Sequence, residues 1–198
     1  MSLHGDALAV LEAWAPPDAA QAALRERYVG YLREHVDAMT RAGRPHHLTA
    51  STLVLSPDGA HVLLTLHAKA GRWFQFGGHC EPGDDTLAAA ARREAEEESG
   101  LADLRLLPEP VQLSEHAVPF CADDGALVHH LDVRYAAVAT PDGRHAVSDE
   151  SLDVAWWPAD ALPDAELAPL VARAQSALAS ASSSGGGSMR AASDQPIR

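Results

Sequence analysis

The chain has 198 residues, of which 46% are hydrophobic, and its 28 acidic side chains outnumber the 15 basic ones, giving a formal net charge of −13. A chain of this length and apolar content folds as one domain with extensions, or at most as two small domains. The negative charge argues against a general nucleic-acid binder and against docking on anionic lipid, since both need a surplus of basic side chains.

The sequence also indicates the compartment in which the protein works. No stretch reaches the roughly 18 apolar residues that a membrane helix needs, and the first residues lack the basic and apolar parts of a secretory signal. Two cysteines, Cys80 and Cys121, do not make a disulfide framework. We therefore expect a soluble protein in the reducing cytoplasm. The single lysine and single isoleucine, with no asparagine, indicate a GC-rich and therefore bacterial genome.

Residues 1–45 are predicted to form a helical extension. Residues 4–14 carry apolar side chains at near-helical spacing, and Pro16-Pro17 ends that segment. A second helical run begins near Asp18 and extends to about Met39.

After this extension, short runs rich in β-branched residues predict strands. The segments 48–55 and 61–67 flank Ser56-Pro57-Asp58-Gly59, a strong turn sequence, and so predict a β-hairpin. Further strands are predicted at 72–76, 103–107, 111–117, 127–140 and 154–157. Strands, a helix, more strands and a closing helix together predict an α/β fold with a mixed sheet flanked by helices.

Two helices are predicted within this domain. The first covers 86–99 and ends at Gly100, the residue favoured just after a helix, and the second covers Pro163 to about Ala181. A Ser/Gly-rich segment begins at Ser182, and we expect a disordered tail there. The predicted division is thus an extension at 1–45, a domain at 46–181 and a tail at 182–198.

Acidic side chains are concentrated in residues 81–98, where seven acids against two arginines give a net charge of −5. Glu94, Glu97 and Glu98 stand at i, i+3 and i+4 and therefore share one helix face. Like charges at this spacing repel, and the helix dipole disfavours anions near the C-terminus. We therefore expect a bound cation, and oxygen ligands favour Mg²⁺ or Mn²⁺. The alternative is a solvated acidic helix face.

The loop before this helix, GGHCEPGD at 77–84, contains three glycines that allow close approach to a ligand. The segment from Gly78 to Leu101 resembles the Nudix box, G-x5-E-x7-R-E-U-x-E-E-x-G-U with U aliphatic, which is the signature of Nudix hydrolases. Arg93 to Leu101 fits every required position, with Ala95 in the aliphatic slot. The resemblance covers about residues 47–180 and implies an α/β/α sandwich with a mixed sheet.

The segment departs from the pattern in two ways. One extra residue lies near Asp84-Asp85-Thr86, and the first glutamate is replaced by aspartate, either Asp84 or Asp85. In the family that acid supports the arginine of the box, so the resemblance implies that Arg93 pairs with Asp85 or with Glu97. The insertion precedes the helix and leaves the register of 93–98 intact.

The resemblance also implies a function, because Nudix enzymes hydrolyse a nucleoside diphosphate linked to another moiety by attack of water on phosphorus. Glu94, Glu97 and Glu98 match the ligands of the Mg²⁺ or Mn²⁺ ions, and Gly78 would bring the backbone close to metal or phosphate. Glu94, Glu97 and Arg93, with Glu150 as an acid from outside the box, are the expected catalytic residues.

The expected partner is a small nucleotide or nucleotide-linked metabolite, without nucleic acid or membrane, and a homodimer is a further expectation. The alternative is a Nudix-fold nucleotide-sensing or regulatory module without catalysis, which the insertion, the shortened acid and the helical extension suggest.

Several other residues are candidates for the site. Glu150 lies six residues before Trp156 and is either a catalytic acid or an ordinary loop acid, and Glu115 is a weaker candidate. His130, Asp132 and Arg134 alternate onto one strand face, which either lines a substrate cleft or is solvated. The predicted substrate-binding residues are Gly78, His79, Asp132 and Arg134.

The remaining candidates have structural interpretations. His46, His47 and His79 lack a second partner at a zinc-binding spacing, so we expect no zinc site among them. Cys80 is expected to be a small buried residue, because no base lies beside it in the sequence. Trp73 and Phe76 are expected in the core, with stacking on a base as the alternative.

Overall fold

The computed structural model describes residues 1–118, 121, 127–139, 145–147 and 151–185. These residues form four α-helices, one short 3-10 helix and eight β-strands. In chain order the elements are α1 (Leu3–Ala13), α2 (Ala19–Glu34), β1 (His46–Leu55), β2 (His61–His67), β3 (Trp73–Phe74), β4 (Phe76–His79), α3 (Leu87–Ser99), β5 (Arg105–Leu106), β6 (Gln112–Val118), β7 (Val128–Val138), β8 (Ser151–Pro158), the 3-10 helix (Ala165–Leu167) and α4 (Ala168–Gly185).

The centre of the sheet is a parallel pair, β1 and β7, in register from His46 opposite His129 to Leu55 opposite Val138. The other edge of β1 is shared by β4, which pairs with residues 49–52, and by β2, which pairs with residues 54–55. The other edge of β7 is shared in the same way by β6 and β5, while β3 and β8 pair with β2. The predicted α/β fold with a mixed sheet is confirmed.

Helices cover both faces of the sheet. Alternate side chains of β1 and β7 pack against α1, α2 and α3 on one face, among them Leu48, Ala50, Leu131 and Val133. The intervening side chains, including Leu53 and Leu55, pack on the other face against α4. Because successive strand residues point to opposite faces, each central strand contributes to both layers of the sandwich.

The face that carries α4 changes from polar to apolar along the central strands. On β1 the residues of this face run His47, Thr49, Ser51 and then Leu53 and Leu55. On β7 the corresponding series is His130, Asp132, Arg134, Ala136 and Val138. Only the apolar ends belong to the core beneath α4. The polar halves therefore form a surface that α4 leaves uncovered.

The helical extension is part of the same core. Ala7, Leu11, Tyr28 and Leu32 belong to one buried cluster with residues of α3, β1 and β7. The Asp6 carboxylate also accepts a hydrogen bond of 2.8 Å from the backbone N–H of Leu87, at the first turn of α3. A negative charge at that position complements the helix dipole. The extension therefore supports the helix that carries the acidic residues.

Most predicted elements are confirmed, and the differences have physical reasons. The predicted strand at 72–76 is two strands, because β3 pairs with β2 whereas β4 pairs with β1. Gly77 and Gly78 continue β4 along β1 and do not end it. A Cβ on Gly77 would lie 2.3 Å from that of Ser51, so only glycine allows this approach.

Two helices end at residues other than the predicted ones. Helix α2 ends at Glu34, before the predicted Met39, and α4 extends to Gly185. Residues 182–185 are therefore helical and not part of a tail, and 186–198 lie outside the described residues. In the described part of the chain, no helix has the length and apolar character that crossing a bilayer requires.

Gln21 provides a test of the extension's role. Its side-chain amide donates to the Leu113 carbonyl at 3.1 Å and its side-chain oxygen accepts from the Leu113 N–H at 2.6 Å, so α2 satisfies the free edge of β6. Gln21→Ala leaves both buried backbone groups unpaired, and we expect a loss of about 1–3 kcal/mol in the free energy of unfolding. Urea denaturation measures this loss. Glu26→Ala, an exposed position of the same helix, is the control, and equal effects of the two variants would contradict this role.

Candidate functional site

The uncovered polar surface is the floor of a cleft of about 600 Å³. Thr49 and Ser51 of β1 and Asp132 and Arg134 of β7 line it. The cleft extends to Gly77, Gly78, His79 and Glu98 on one side and to the aromatic side chains of β3 on another. This volume lies within the range typical of small-molecule sites.

A buried carboxylate organises the cleft floor. Asp132 is 3% exposed and accepts hydrogen bonds from the hydroxyls of Thr49 (3.2 Å) and Ser51 (2.9 Å). Arg134 donates from Nε to Asp132 at 2.9 Å and from Nη1 to Gln112 at 3.0 Å, which fixes the plane of its guanidinium. The predicted alternation of this strand is thus confirmed, and the alternative of a solvated face is wrong for Asp132.

Helix α3 brings the acidic side chains to the edge of this cleft. The Thr86 hydroxyl accepts from the Ala89 N–H at its start, and Gly100, with φ of 68°, ends it in the left-handed conformation. One stripe of α3, which includes Leu87, Ala91 and Ala95, is buried. Burial of this stripe turns the acids toward the strand–helix loop.

The backbone of β4 lies directly against two of these acids. The Gly77 N–H donates to Glu98 Oε2 at 3.1 Å. A Cβ placed on Gly78 would lie 2.8 Å from Glu94 Oε2, closer than van der Waals contact allows. A side chain at position 78 would therefore displace the Glu94 carboxylate, so glycine lets the backbone and this acid lie in contact.

Arg93 connects the acids of the loop with those of the helix. Its Nε and Nη2 donate to the two carboxylate oxygens of Asp84, both at 3.0 Å. Its Nη1 lies 3.0 Å from Glu94 Oε1 and 3.1 Å from Glu97 Oε2, and Nη2 also donates to the His79 carbonyl at 3.0 Å. The hydrogen bonds with Asp84 contribute most to raising the pKa of Arg93, so it stays cationic.

These contacts identify the aspartate that supports the arginine. The predicted pairing of Arg93 with Glu97 is present, and the aspartate that Arg93 contacts is Asp84 and not Asp85. Burial acts to raise the pKa of Asp84, but hydrogen bonds from Arg93 and from the Glu81 N–H outweigh it and lower the pKa below 3.8.

Comparison with known proteins agrees with this geometry. A family model described as the NUDIX domain matches residues 45–179. The chain belongs to the Nudix hydrolase family. Membership of this family makes the protein a Nudix pyrophosphohydrolase. No curated protein shows significant similarity to the chain.

Two solved structures illustrate the shared Nudix fold. A Nudix-family hydrolase from Clostridium perfringens is 24% identical, with a TM-score of 0.50, and the match covers 68% of this chain and 97% of that one. An Ap4A hydrolase from C. elegans, solved as a binary complex, is 20% identical with a TM-score of 0.51, covering 67% of this chain and 98% of that one. At these identities the likeness shows the fold alone.

The structure brings some of the predicted Nudix site residues together. Gly78, His79, Asp132 and Arg134, the predicted substrate-binding residues, all line the cleft, as does Glu98. Glu94 is largely buried beside Gly78, whereas the Glu97 side chain is 61% exposed. Among the described residues, two groups have metal-ligand atoms within 4.8 Å of one another, and the three glutamates are not one of them. They share a helix face without converging on a point.

Two acids predicted from outside the Nudix box have different outcomes. Glu150 lies outside the described residues. Glu115 lies on β6, where its carboxylate contacts Arg27 at 2.7 Å and His129 at 3.0 Å.

The aromatic residues of β3 and β4 differ in burial, and Cys80 lies just after β4. Phe76 is fully buried, as expected for the core, so the alternative of stacking on a base is wrong for Phe76. Trp73 packs edge-on against Trp157, with 5.3 Å between the ring centroids, and it also lines the cleft. Phe74, which the sequence did not single out, lines the cleft beside it. Cys80 is buried as predicted, and burial raises its pKa to about 12.

Spacing along the chain gives His47 and His79 no second partner for a zinc site, but the fold brings potential partners to them. The sheet places both rings beside His130 and Cys121, which are distant in sequence. Burial, and next the proximity of His47, lower the pKa of His79 to about 4, so its imidazole is neutral near pH 7. Alternating polar residues at 47, 49 and 51 of β1 were the available signal for this surface, but residue spacing alone does not reveal strand register.

Asp84→Asn tests the contact between the aspartate and Arg93. The folded-state pKa of Asp84 is lowered, so its stabilisation is present above pH 3.8 and is lost as the pH falls through the folded-state pKa. Because Arg93 keeps its other partners, we expect Asp84→Asn to cost about 2 kcal/mol of unfolding free energy at neutral pH, the value of charge-assisted hydrogen bonds, with the difference from wild type narrowing below pH 3.8.

Urea denaturation at a series of pH values measures this difference. Asp85→Asn, an exposed neighbour in the same turn, is the matched control. A difference that is independent of pH, or an equal loss in Asp85→Asn, would contradict the role of Asp84.

Proposed function

We propose that the protein hydrolyses a pyrophosphate bond in a nucleoside diphosphate linked to another moiety, in a reaction that depends on Mg²⁺ or Mn²⁺. The observation that carries this proposal is the contact of the β4 backbone with the α3 acids at the edge of the cleft. Gly77 donates to Glu98 and Gly78 lies against Glu94, so a phosphate group in the cleft would meet these acids and their cations.

The donor atoms of the three glutamates suit a hard divalent cation. Glu94, Glu97 and Glu98 offer only oxygen atoms, the donor type that Mg²⁺ and Mn²⁺ prefer. Gly78 leaves the Glu94 carboxylate a space that a Cβ would fill. The cation, when bound, offsets charge on the phosphoryl oxygens and makes water a stronger nucleophile.

The side chains of the chain have separate roles in this proposal. Arg93 is a positioning residue, because it holds Glu94 and Glu97 by hydrogen bonds of 3.0 and 3.1 Å. Glu97 is largely exposed and is the proposed base that takes a proton from water, with Glu94 and Glu150 as the other candidates.

The cleft floor supports binding of an anionic substrate. Arg134 is held in one orientation by Asp132 and Gln112, so its guanidinium is preorganised for a phosphate. Phe74 and Trp73 line the same cleft and offer rings on which a base can stack. Dinucleoside polyphosphates belong to the proposed substrate class, and the fold is shared with an Ap4A hydrolase.

A substrate screen combined with acid-to-amide variants tests this function. The purified protein with Mg²⁺ or Mn²⁺ is incubated with nucleotide sugars, dinucleoside polyphosphates, NADH, coenzyme A and nucleoside triphosphates. We expect phosphate-bearing products from at least one class. In the double variant Glu97→Gln and Glu98→Gln, we expect turnover to fall at least about 100-fold, because two negatively charged carboxylates become neutral amides.

Glu96→Gln is the matched control for this variant, since it removes one charge from the same helix at a position that the Nudix box leaves open. Undiminished turnover in the double variant would contradict the assigned roles. Tight nucleotide binding without metal-dependent turnover of any substrate would favour the sensing module.

Gly78→Ala tests the contact between backbone and acid. The added methyl displaces the Glu94 carboxylate, the movable end of a flexible side chain, so we expect little loss of stability but about a 10- to 100-fold loss of turnover. Gly83→Ala is the control, because nothing lies within 4 Å of a Cβ there. Kinetics and thermal unfolding of both variants measure the two effects, and equal turnover in both variants would refute this interpretation.

A further inference from the structure

A second group of metal-ligating side chains lies at one end of the cleft. It consists of His47, His79, His130 and Cys121, whose ligand atoms all lie within 4.8 Å of one another. We propose that these four residues, here named the His3Cys cluster, bind one Zn²⁺ ion. This site is separate from the acidic residues of the Nudix box and uses a different set of donor atoms.

The sheet register positions the three imidazoles. His47 on β1 stands opposite His130 on the parallel strand β7, and His79 on β4 stands opposite Thr49 on the other edge of β1. Paired residues point to the same face of a sheet, so all three rings project onto the cleft side. Their ring centroids lie 4.8 to 5.0 Å apart.

Cys121 completes the cluster from the chain between β6 and β7. Its Sγ lies 3.3 Å from His79 Nε2, 3.3 Å from His130 Nε2 and 3.6 Å from His47 Nε2. In a tetrahedral zinc site, the usual Zn–S and Zn–N lengths give a sulfur–nitrogen separation of about 3.6 Å. The three sulfur–nitrogen distances are therefore close to those of a tetrahedral zinc site.

A bound cation explains the three imidazole nitrogens around Cys121 Sγ better than hydrogen bonds between these groups do. A thiol carries one proton and is a weak acceptor, so it satisfies one imidazole nitrogen well and not three. His47 is fully buried and Cys121 is 7% exposed, so water competes little for these atoms. A cation would use one lone pair from each of the four atoms, and thiolate with imidazole is a donor set that suits Zn²⁺.

The contacts around the cluster also fit zinc. Nδ1 of His47, the ring nitrogen that does not face Cys121, lies 3.4 Å from the Gly43 carbonyl oxygen, an acceptor of the kind that orients ligating histidines. The other group with close ligand atoms, His46, Glu115 and His129, is a poorer candidate. It contains no thiolate, and its Glu115 is already paired with Arg27 at 2.7 Å.

Four protein ligands fill a tetrahedral shell, so we assign the ion a structural role. It would fasten β4 and Cys121 to the central strands. Binding replaces the thiol proton of Cys121, which passes to solvent, and no electron is transferred. Because Arg93 donates to the carbonyl of His79, the same ion would also steady the loop that begins the Nudix box.

Metal titration of the full chain, carrying no affinity tag and freed of metal with a chelator, tests the site. We expect one equivalent of Zn²⁺ to bind tightly and to raise the unfolding temperature. Co²⁺ in its place should give the absorption of a tetrahedral site together with a thiolate-to-metal charge-transfer band. That band separates this site from the all-oxygen acids, and none of these readouts requires hydrolysis.

Variants identify the ligands. Cys121→Ser changes one atom and should abolish the charge-transfer band, and His130→Gln should weaken zinc binding at least about 100-fold. Cys80→Ser and His61→Gln are the matched controls, because Cys80 is packed in the core under the opposite face and His61 is exposed on β2. Both controls should bind like wild type.

Three results would overturn the proposal. They are the absence of stoichiometric tight zinc binding in wild type, a Co²⁺ complex without a thiolate band, and equal zinc affinity in Cys121→Ser, His130→Gln and the controls. Thermal unfolding without metal shows whether each variant folds. Should His130→Gln fail to fold, Cys121→Ser decides, since zinc should then raise the unfolding temperature of wild type but raise that of this variant much less.

Discussion

The acidic segment of this chain depends on the guanidinium of Arg93. The segment 81–98 carries a net charge of −5, and Arg93 contacts Asp84, Glu94 and Glu97 within it. The Asp84 side chain is only 6% exposed, and a buried carboxylate without a partner is strongly destabilising. The two hydrogen bonds from Arg93 therefore decide where the loop lies against α3. The position of β4 beside the acids, and with it the edge of the cleft, follows from that placement.

The rest of the cleft follows from the residue pattern of two strands in parallel register. Both β1 and β7 change from polar to apolar along the same sheet face, and α4 packs on the apolar part. Burying the polar part under a helix would require a partner for every hydroxyl, imidazole and carboxylate there. Leaving it open produces a cleft whose floor is ordered by the buried Asp132.

The sequence predicted the features that depend on local patterns. The hairpin around Ser56–Gly59, the limits of α3 and the register of Arg93 to Glu98 all follow from turn residues, capping residues and helical spacing. It could not predict the choice of Asp84 over Asp85, the pairing of Gln21 with β6 or the meeting of His47 with His130. The first depends on how the loop lies against α3. The other two depend on which elements become neighbours and in what register, and residue spacing along the chain does not reveal that. The same holds for the histidines, because spacing along the chain does not show which imidazoles meet across the sheet.

The two proposed cation sites meet at neighbouring residues of β4, because Gly78 lies against Glu94 and His79 belongs to the His3Cys cluster. Their donor atoms differ in kind, and this difference favours a different ion at each site. Carboxylate oxygens on a partly exposed helix face suit hard cations that keep bound water, whereas thiolate and imidazole in a buried cluster favour zinc strongly. Zinc at the His3Cys cluster would order β4 without occupying the acids that the hydrolysis needs. On this view the strand that would present Gly78 to a phosphate is held at the next residue, His79, by a metal that takes no part in the reaction.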